Sequence, residues 1–162
     1  MSTLKENVFP YLFVLVIVLV AVWFAFLLSK RSARGRAKRS FRAEMRTNAK
    51  ITGLITAYAD GQLSGETTVA PMPMYRTQAF MEYKTMGLLE KLPQKIADEL
   101  EQLYLNKVSV NKAGRRQEEL AFGPAAAFPN AHTLRLENLT YARDTAHNLI
   151  EPYQDRLRTI RV

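Results

Sequence analysis

Residues 8–29 form an unbroken run of 22 residues without a charge, and a strongly basic stretch follows at once. At ~1.5 Å of rise per residue the run makes about 33 Å of helix. That is enough to cross a hydrocarbon core of about 30 Å. A chain with such a run is expected to be membrane-anchored, with one span. The run exceeds the apolar stretch of about 7–15 residues found in removable export signals, and Leu27-Leu28-Ser29-Lys30-Arg31 offers no small-residue cleavage site. The expectation is a retained signal anchor.

Lys and Arg are kept preferentially on the cytoplasmic side of a span. Before the run stands Lys5, beside Glu6; after it come Lys30, Arg31, Arg34, Arg36, Lys38, Arg39 and Arg42, with no acid among them. This predicts a single-pass protein of the cell (inner) membrane, with residues 1–7 outside, 8–29 in the bilayer, a basic juxtamembrane segment at 30–42 and a cytoplasmic domain at 43–162. Phe9, Tyr11 and Phe13 near one end of the run and Trp23, Phe24 and Phe26 toward the other suit the two interfaces.

The formal charge of +8 invites a nucleic-acid reading, so its location matters. Residues 43–162 hold fifteen basic and fourteen acidic residues, a net of +1, and the excess therefore sits beside the span. No nucleic-acid partner is expected. The seven juxtamembrane cations read first as a topology signal. They are also candidate contacts to anionic lipid, each worth ~1 kcal/mol near a charged surface.

There is no cysteine, which removes disulfides, thiolate metal sites and cysteine nucleophiles. His132 and His147 stand 15 residues apart, too far to share a helical turn as paired ligands do. No nucleophile elbow, phosphate-cradling loop, dinucleotide fingerprint or zinc-helix motif is present. The acidic groups Asp98-Glu99-Glu101 and Glu118-Glu119 read as solvated charge. Neither an enzyme nor a cofactor is expected. Asn138-Leu139-Thr140 matches a glycosylation acceptor, which matters only for a lumenal domain.

Beyond the basic stretch the apolar period is helical. Ile51, Leu54, Ile55 and Tyr58 predict a helix over about 40–59, ending near Asp60-Gly61, either continuous with the span or hinged from it. Gly65, Pro71 and Pro73 predict a loop over 62–74. A short helix from near Tyr75 to Gly87 follows, and a new one starts near Pro93 with Ile96, Leu100, Leu103 and Tyr104 on its apolar face. The polar stretch 112–119 extends that helix or forms a turn. The apolar connection 122–129 is expected to pack on the core, the other reading being a docking surface. A last helix from Asn130 or Thr133 to Ile160 places Leu139, Ala142, Ala146, Leu149, Ile150, Tyr153, Leu157 and Ile160 in one stripe, with a kink or break at Pro152. No strand alternation persists. The predicted fold is all-α: one N-terminal transmembrane helix followed by a small cytoplasmic helical bundle.

Two further features bear on partners. Ala21, Ala25 and Ser29 recur every four residues, the small-residue spacing that lets membrane helices approach closely, and mark a candidate association face. Asn48 and Asn111 lie near apolar stripes and read as boundary or capping residues, or as a polar contact between helices.

The anchor, the basic stretch, the Asn-bearing helix over 44–55, the proline-containing loop and Leu88-Leu89-Glu90-Lys91-Leu92-Pro93 leading through Leu103-Tyr104 to Asn111 resemble the layout of uncharacterised prokaryotic single-pass proteins with helical cytosolic domains. The resemblance implies location and fold, and no activity. The expected role is a non-catalytic scaffold, adaptor or accessory subunit of a membrane assembly, with a protein partner or a second copy as its ligand. A regulatory module reading anionic lipid through residues 30–42 is the alternative.

Overall fold

A computed structural model describes residues 3–65 and 71–158, with side chains over 12–65 and 71–157. Every regular element among the described residues is helical. They divide into two compact units, Met1–Arg36 and Ala37–Val162. Helix α1 (Thr3–Ser64) supplies the first unit and opens the second. In the first unit residues 12–32 are exposed throughout, including every large apolar side chain from Leu12 to Leu28. This helix is long and apolar enough to cross a membrane.

The second unit begins six residues before the boundary expected at 43. Ala37 and Phe41 are already buried, at 0% and 1% exposure, so the final turns of the basic segment carry core residues on one face and Lys38, Arg39 and Arg42 on the other. Met45, Asn48, Thr52, Ile55 and Ala59 continue that inward face at three- and four-residue steps. The helix passes Asp60-Gly61 and ends at Ser64, where Gly65 takes φ of 75°. Residues 62–64 of the expected loop are therefore helical, 66–70 lie outside the described residues, and 71–77 form an extended strap.

Helix α2 (Gln78–Thr85) starts three residues after Tyr75 and buries Phe80 and Tyr83. Gly87, at φ of 63°, turns the chain into a 3-10 turn over Leu89–Lys91. Pro93 then stands at the start of α3 (Gln94–Phe122), where its missing N–H costs nothing. The polar stretch 112–119 extends this helix. Across the core Phe41 stacks on Tyr83 and Phe80 on Tyr104, with ring centroids 4.6 and 3.9 Å apart.

The connection 122–129 does not pack on the core. Phe122 and Phe128 are 64% and 55% exposed, and the 3-10 turn Pro124–Ala127 buries nothing. The backbone geometry is responsible: Gly123 donates to the carbonyl of Glu119, and a Cβ there would stand 2.8 Å from that oxygen, so the chain leaves α3 in a tight turn with its apolar side chains outward.

Helices α4 (Ala131–Thr145) and α5 (Glu151–Arg158) are joined by a π turn, Ala146–Ile150. Pro152 lacks the N–H that an α-helix would bond four residues back, and its ring would meet that carbonyl. Instead the N–H of Glu151 reaches back five residues to Ala146. One extra residue in the turn rotates the faces of α5 by about 100°. Ile150, Gln154 and Leu157 thereby face inward, while Leu149 and Tyr153, expected in the stripe, are 46% and 36% exposed. Ile160 lies outside the described residues.

Candidate functional site

The densest polar chemistry of the second unit surrounds the strap. Buried polar groups require partners, and here the partner is main chain. Asn48 of α1 accepts from the N–H of Arg76 at 2.9 Å and donates to its carbonyl at 2.7 Å. Asn111 of α3 does the same to the preceding residue, accepting from Tyr75 N at 2.8 Å and donating to Tyr75 O at 2.9 Å. Two side-chain amides thus take the place that neighbouring strands occupy in a sheet. Neither asparagine is a helix cap. Each sits mid-helix because its helix face meets an extended chain.

The ends of the strap are held similarly. Glu118 of α3 accepts from Met72 N at 3.0 Å, and the Met72 side chain lies against Gly114, where a Cβ would stand 2.3 Å from its terminal methyl. At the other end the Glu44 carboxylate, 6% exposed, accepts from Ala79 N at 2.7 Å, Phe80 N at 3.1 Å and the Tyr104 hydroxyl at 2.8 Å. Two of these donors are free N–H groups at the start of α2, the place where a carboxylate is best accommodated. The Tyr75 side chain points inward, and its hydroxyl donates to Thr52 Oγ1 at 3.1 Å; Thr52 also lies 3.3 Å from Gln154 Oε1.

At the centre stands Lys107. Its residue is 0% exposed, and its Nζ has no hydrogen-bond partner. The amine lies 4.4 Å from the centroid of the Tyr104 ring and 5.7 Å from that of Tyr75. Burial pushes the Lys107 ammonium down to about 7 from its ordinary 10.5, with the Glu44 charge opposing the shift. Burial likewise pushes the Tyr75 phenol up to about 12, against the Thr52 hydrogen bond. The Tyr104 phenol rises well above its ordinary range, first through burial and then through the adjacent Glu44 charge. The cluster therefore holds one amine able to exchange a proton near neutrality, between two phenols that stay protonated there.

Of the residues singled out from the sequence, Asn48 and Asn111 lie at this site, as polar contacts to the strap and not as caps, and the others are placed elsewhere. Ala21, Ala25 and Ser29 are exposed on α1, as are Lys30, Arg31, Arg36, Lys38, Arg39 and Arg42, while Arg34 is half-buried. His132 and His147 are both exposed, and His147 Nδ1 lies 3.0 Å from Glu151 Oε2. Among the described residues no three His, Cys, Asp or Glu side chains gather as metal ligands. Sequence reasoning passed over Glu44 and Lys107, and read Glu118 as solvated charge, whereas it is half-buried and accepts from Met72 N. A signal for the first two existed: Lys107 falls at the stripe positions of Leu100, Leu103, Tyr104 and Val110, and Glu44 between Phe41 and Met45. No protein-family model, curated protein or solved structure matches the chain.

Proposed function

We propose that the protein is a membrane-anchored helical scaffold or accessory subunit of a membrane assembly, oriented with its N-terminus outside and Ala37–Val162 in the cytoplasm. The observation that carries this reading is the division of labour between the two units. The exposed apolar side chains of α1 from Leu12 to Leu28 suit a bilayer. In the second unit Glu44, Asn48, Asn111 and Glu118 are spent on the protein's own backbone. Groups so engaged hold a shape; they are not disposed toward a substrate. Such a domain serves by presenting a fixed helical surface beside the membrane.

The exposed cations Lys30, Arg31, Arg36, Lys38 and Arg39 favour a second reading, in which the basic segment reads anionic lipid. One experiment separates the two. The tagged full chain, isolated in mild detergent, should carry a stoichiometric protein partner that survives 0.5 M salt, a concentration of the order that screens lipid attraction within a few ångströms. If instead the chain emerges alone, and its segregation into anionic lipid domains of mixed nanodiscs collapses with salt, the scaffold reading fails and the lipid reading replaces it.

A further inference from the structure

An amine buried without an acceptor needs an explanation, because a charged one would leave three donors unsatisfied. No acceptor lies within hydrogen-bond distance of Lys107 Nζ. From α1 it faces Glu44, whose oxygens already take Ala79 N, Phe80 N and the Tyr104 hydroxyl. From its own helix it faces the Tyr104 ring, and from the strap the Tyr75 ring. Glu151 of α5 acts on Tyr75 through space, and the neutral Thr52 and Gln154 complete the Tyr75 hydroxyl's surroundings. Both phenols carry their protons at neutral pH, so neither supplies negative charge.

An ammonium forming here must be wetted, and the cover over it differs in strength from side to side. On α1 and α3 the cover is continuous helix. On the strap side it is Tyr75, in a non-helical segment whose Met72, Tyr75 and Arg76 backbone groups are held by the side chains of Glu118, Asn111 and Asn48 and which is seated by two buried side chains, Met72 and Tyr75. Asn111 lies one helical turn from Lys107, so the clamp on Tyr75 and the buried amine share one face of α3.

We propose that residues 71–77 form a proton-controlled latch: uptake of a proton by Lys107 releases the strap from the groove between α1 and α3, and loss of the proton lets it close. The closed form excludes water from the amine and prefers it neutral. The open form hydrates it and lets it titrate near the ordinary lysine value. With the closed-state value of about 7 and the ordinary value of 10.5, linkage makes strap opening about twentyfold more frequent at pH 6.5 than at pH 8.5.

Amide hydrogen exchange on the full chain in nanodiscs tests this, with rates corrected for the intrinsic pH dependence of exchange. The reporters are the N–H groups of Tyr75 and Arg76, which Asn111 and Asn48 accept. Between pH 8.5 and 6.5 their protection should fall about twentyfold, and at both values it should lie well below that of the interior amides of α3, which exchange only on global unfolding. In Lys107→Met the strap amides should lose this pH dependence. Strap protection that does not change with pH overturns the proposal. So does strap protection equal to that of α3 at both pH values, because the strap would then open only with global unfolding. Unaltered pH dependence in a folded Lys107→Met protein overturns it as well. The comparison of strap with α3 in the unsubstituted chain decides the matter even where the variant does not fold.

Discussion

Replacing Lys107 by methionine should stabilise the second unit at neutral pH, which is the reverse of what most core substitutions do. The side chain is 0% exposed, and methionine matches its length and packs well on aromatic rings. The magnitude comes from proton linkage. The folded value of about 7 lies below the ordinary 10.5, so between these limits the unfolded chain holds more protons and stability rises with pH. At pH 7 the lysine costs about 4 kcal/mol relative to a neutral side chain, and at pH 9.5 about 1 kcal/mol, at 1.36 kcal/mol per unit of displacement. The unsubstituted protein should therefore gain about 3 kcal/mol over that interval, and Lys107→Met should lose this gradient. Above pH 10 the sign reverses: Tyr75, raised to about 12, keeps its proton when folded and loses it when unfolded, so stability falls again. Urea titration of the full chain in nanodiscs, read by pulse proteolysis at pH 7 and 9.5, measures both terms. Glu44 keeps its three donors in the variant, so a stability at pH 7 below that of the unsubstituted protein would refute the linkage.

Three other outcomes are set by the geometry. Ile150→Ala, at a fully buried position, should cost about 2–5 kcal/mol, whereas Leu149→Ala, at 46% exposure, should cost under about 1 kcal/mol; equal losses in the same urea titration would mean the π turn is absent. Asn111→Ala strips both backbone hydrogen bonds from Tyr75 and should cost about 2–4 kcal/mol, with exchange protection lost at Tyr75 before it is lost in α3. Protease added to intact cells should spare residues beyond Lys30, and cleavage there without membrane rupture would reverse the proposed orientation.

The helical class, the long apolar helix, the break at Gly87 and the restart at Pro93 were legible because each rests on local chemistry: apolar period, left-handed glycine, a proline without an N–H. Pro152 was legible as a disturbance but not in kind. A proline that cannot join an α-helical ladder is accommodated either by a bend or by an inserted residue, and the choice of a π turn, which turned Leu149 and Tyr153 outward, depends on which face finds better packing in the assembled bundle. The strap was illegible for another reason. Asn48 and Asn111 lie 28 and 36 residues from the backbone they hold, and an asparagine beside an apolar stripe gives no sign of whether it faces solvent, a helix end or a distant extended chain.

Hydrophobic seating alone does not specify the strap's backbone pairing. Met72 and Tyr75 bury apolar surface, but such burial is non-directional and indifferent to which backbone groups are paired. A bidentate amide is not indifferent. Asn48 and Asn111 each require the N–H and the carbonyl of one and the same residue, on opposite helices and on consecutive strap positions, so only one register satisfies all four bonds. A slip leaves buried donors and acceptors unpaired at about 1–3 kcal/mol each. That register sets Tyr75 over Lys107 and delivers the first N–H groups of α2 to Glu44. The asparagines thus determine the polar centre although they contribute no charge to it, and a proton arriving at Lys107 acts on the segment whose register they fix.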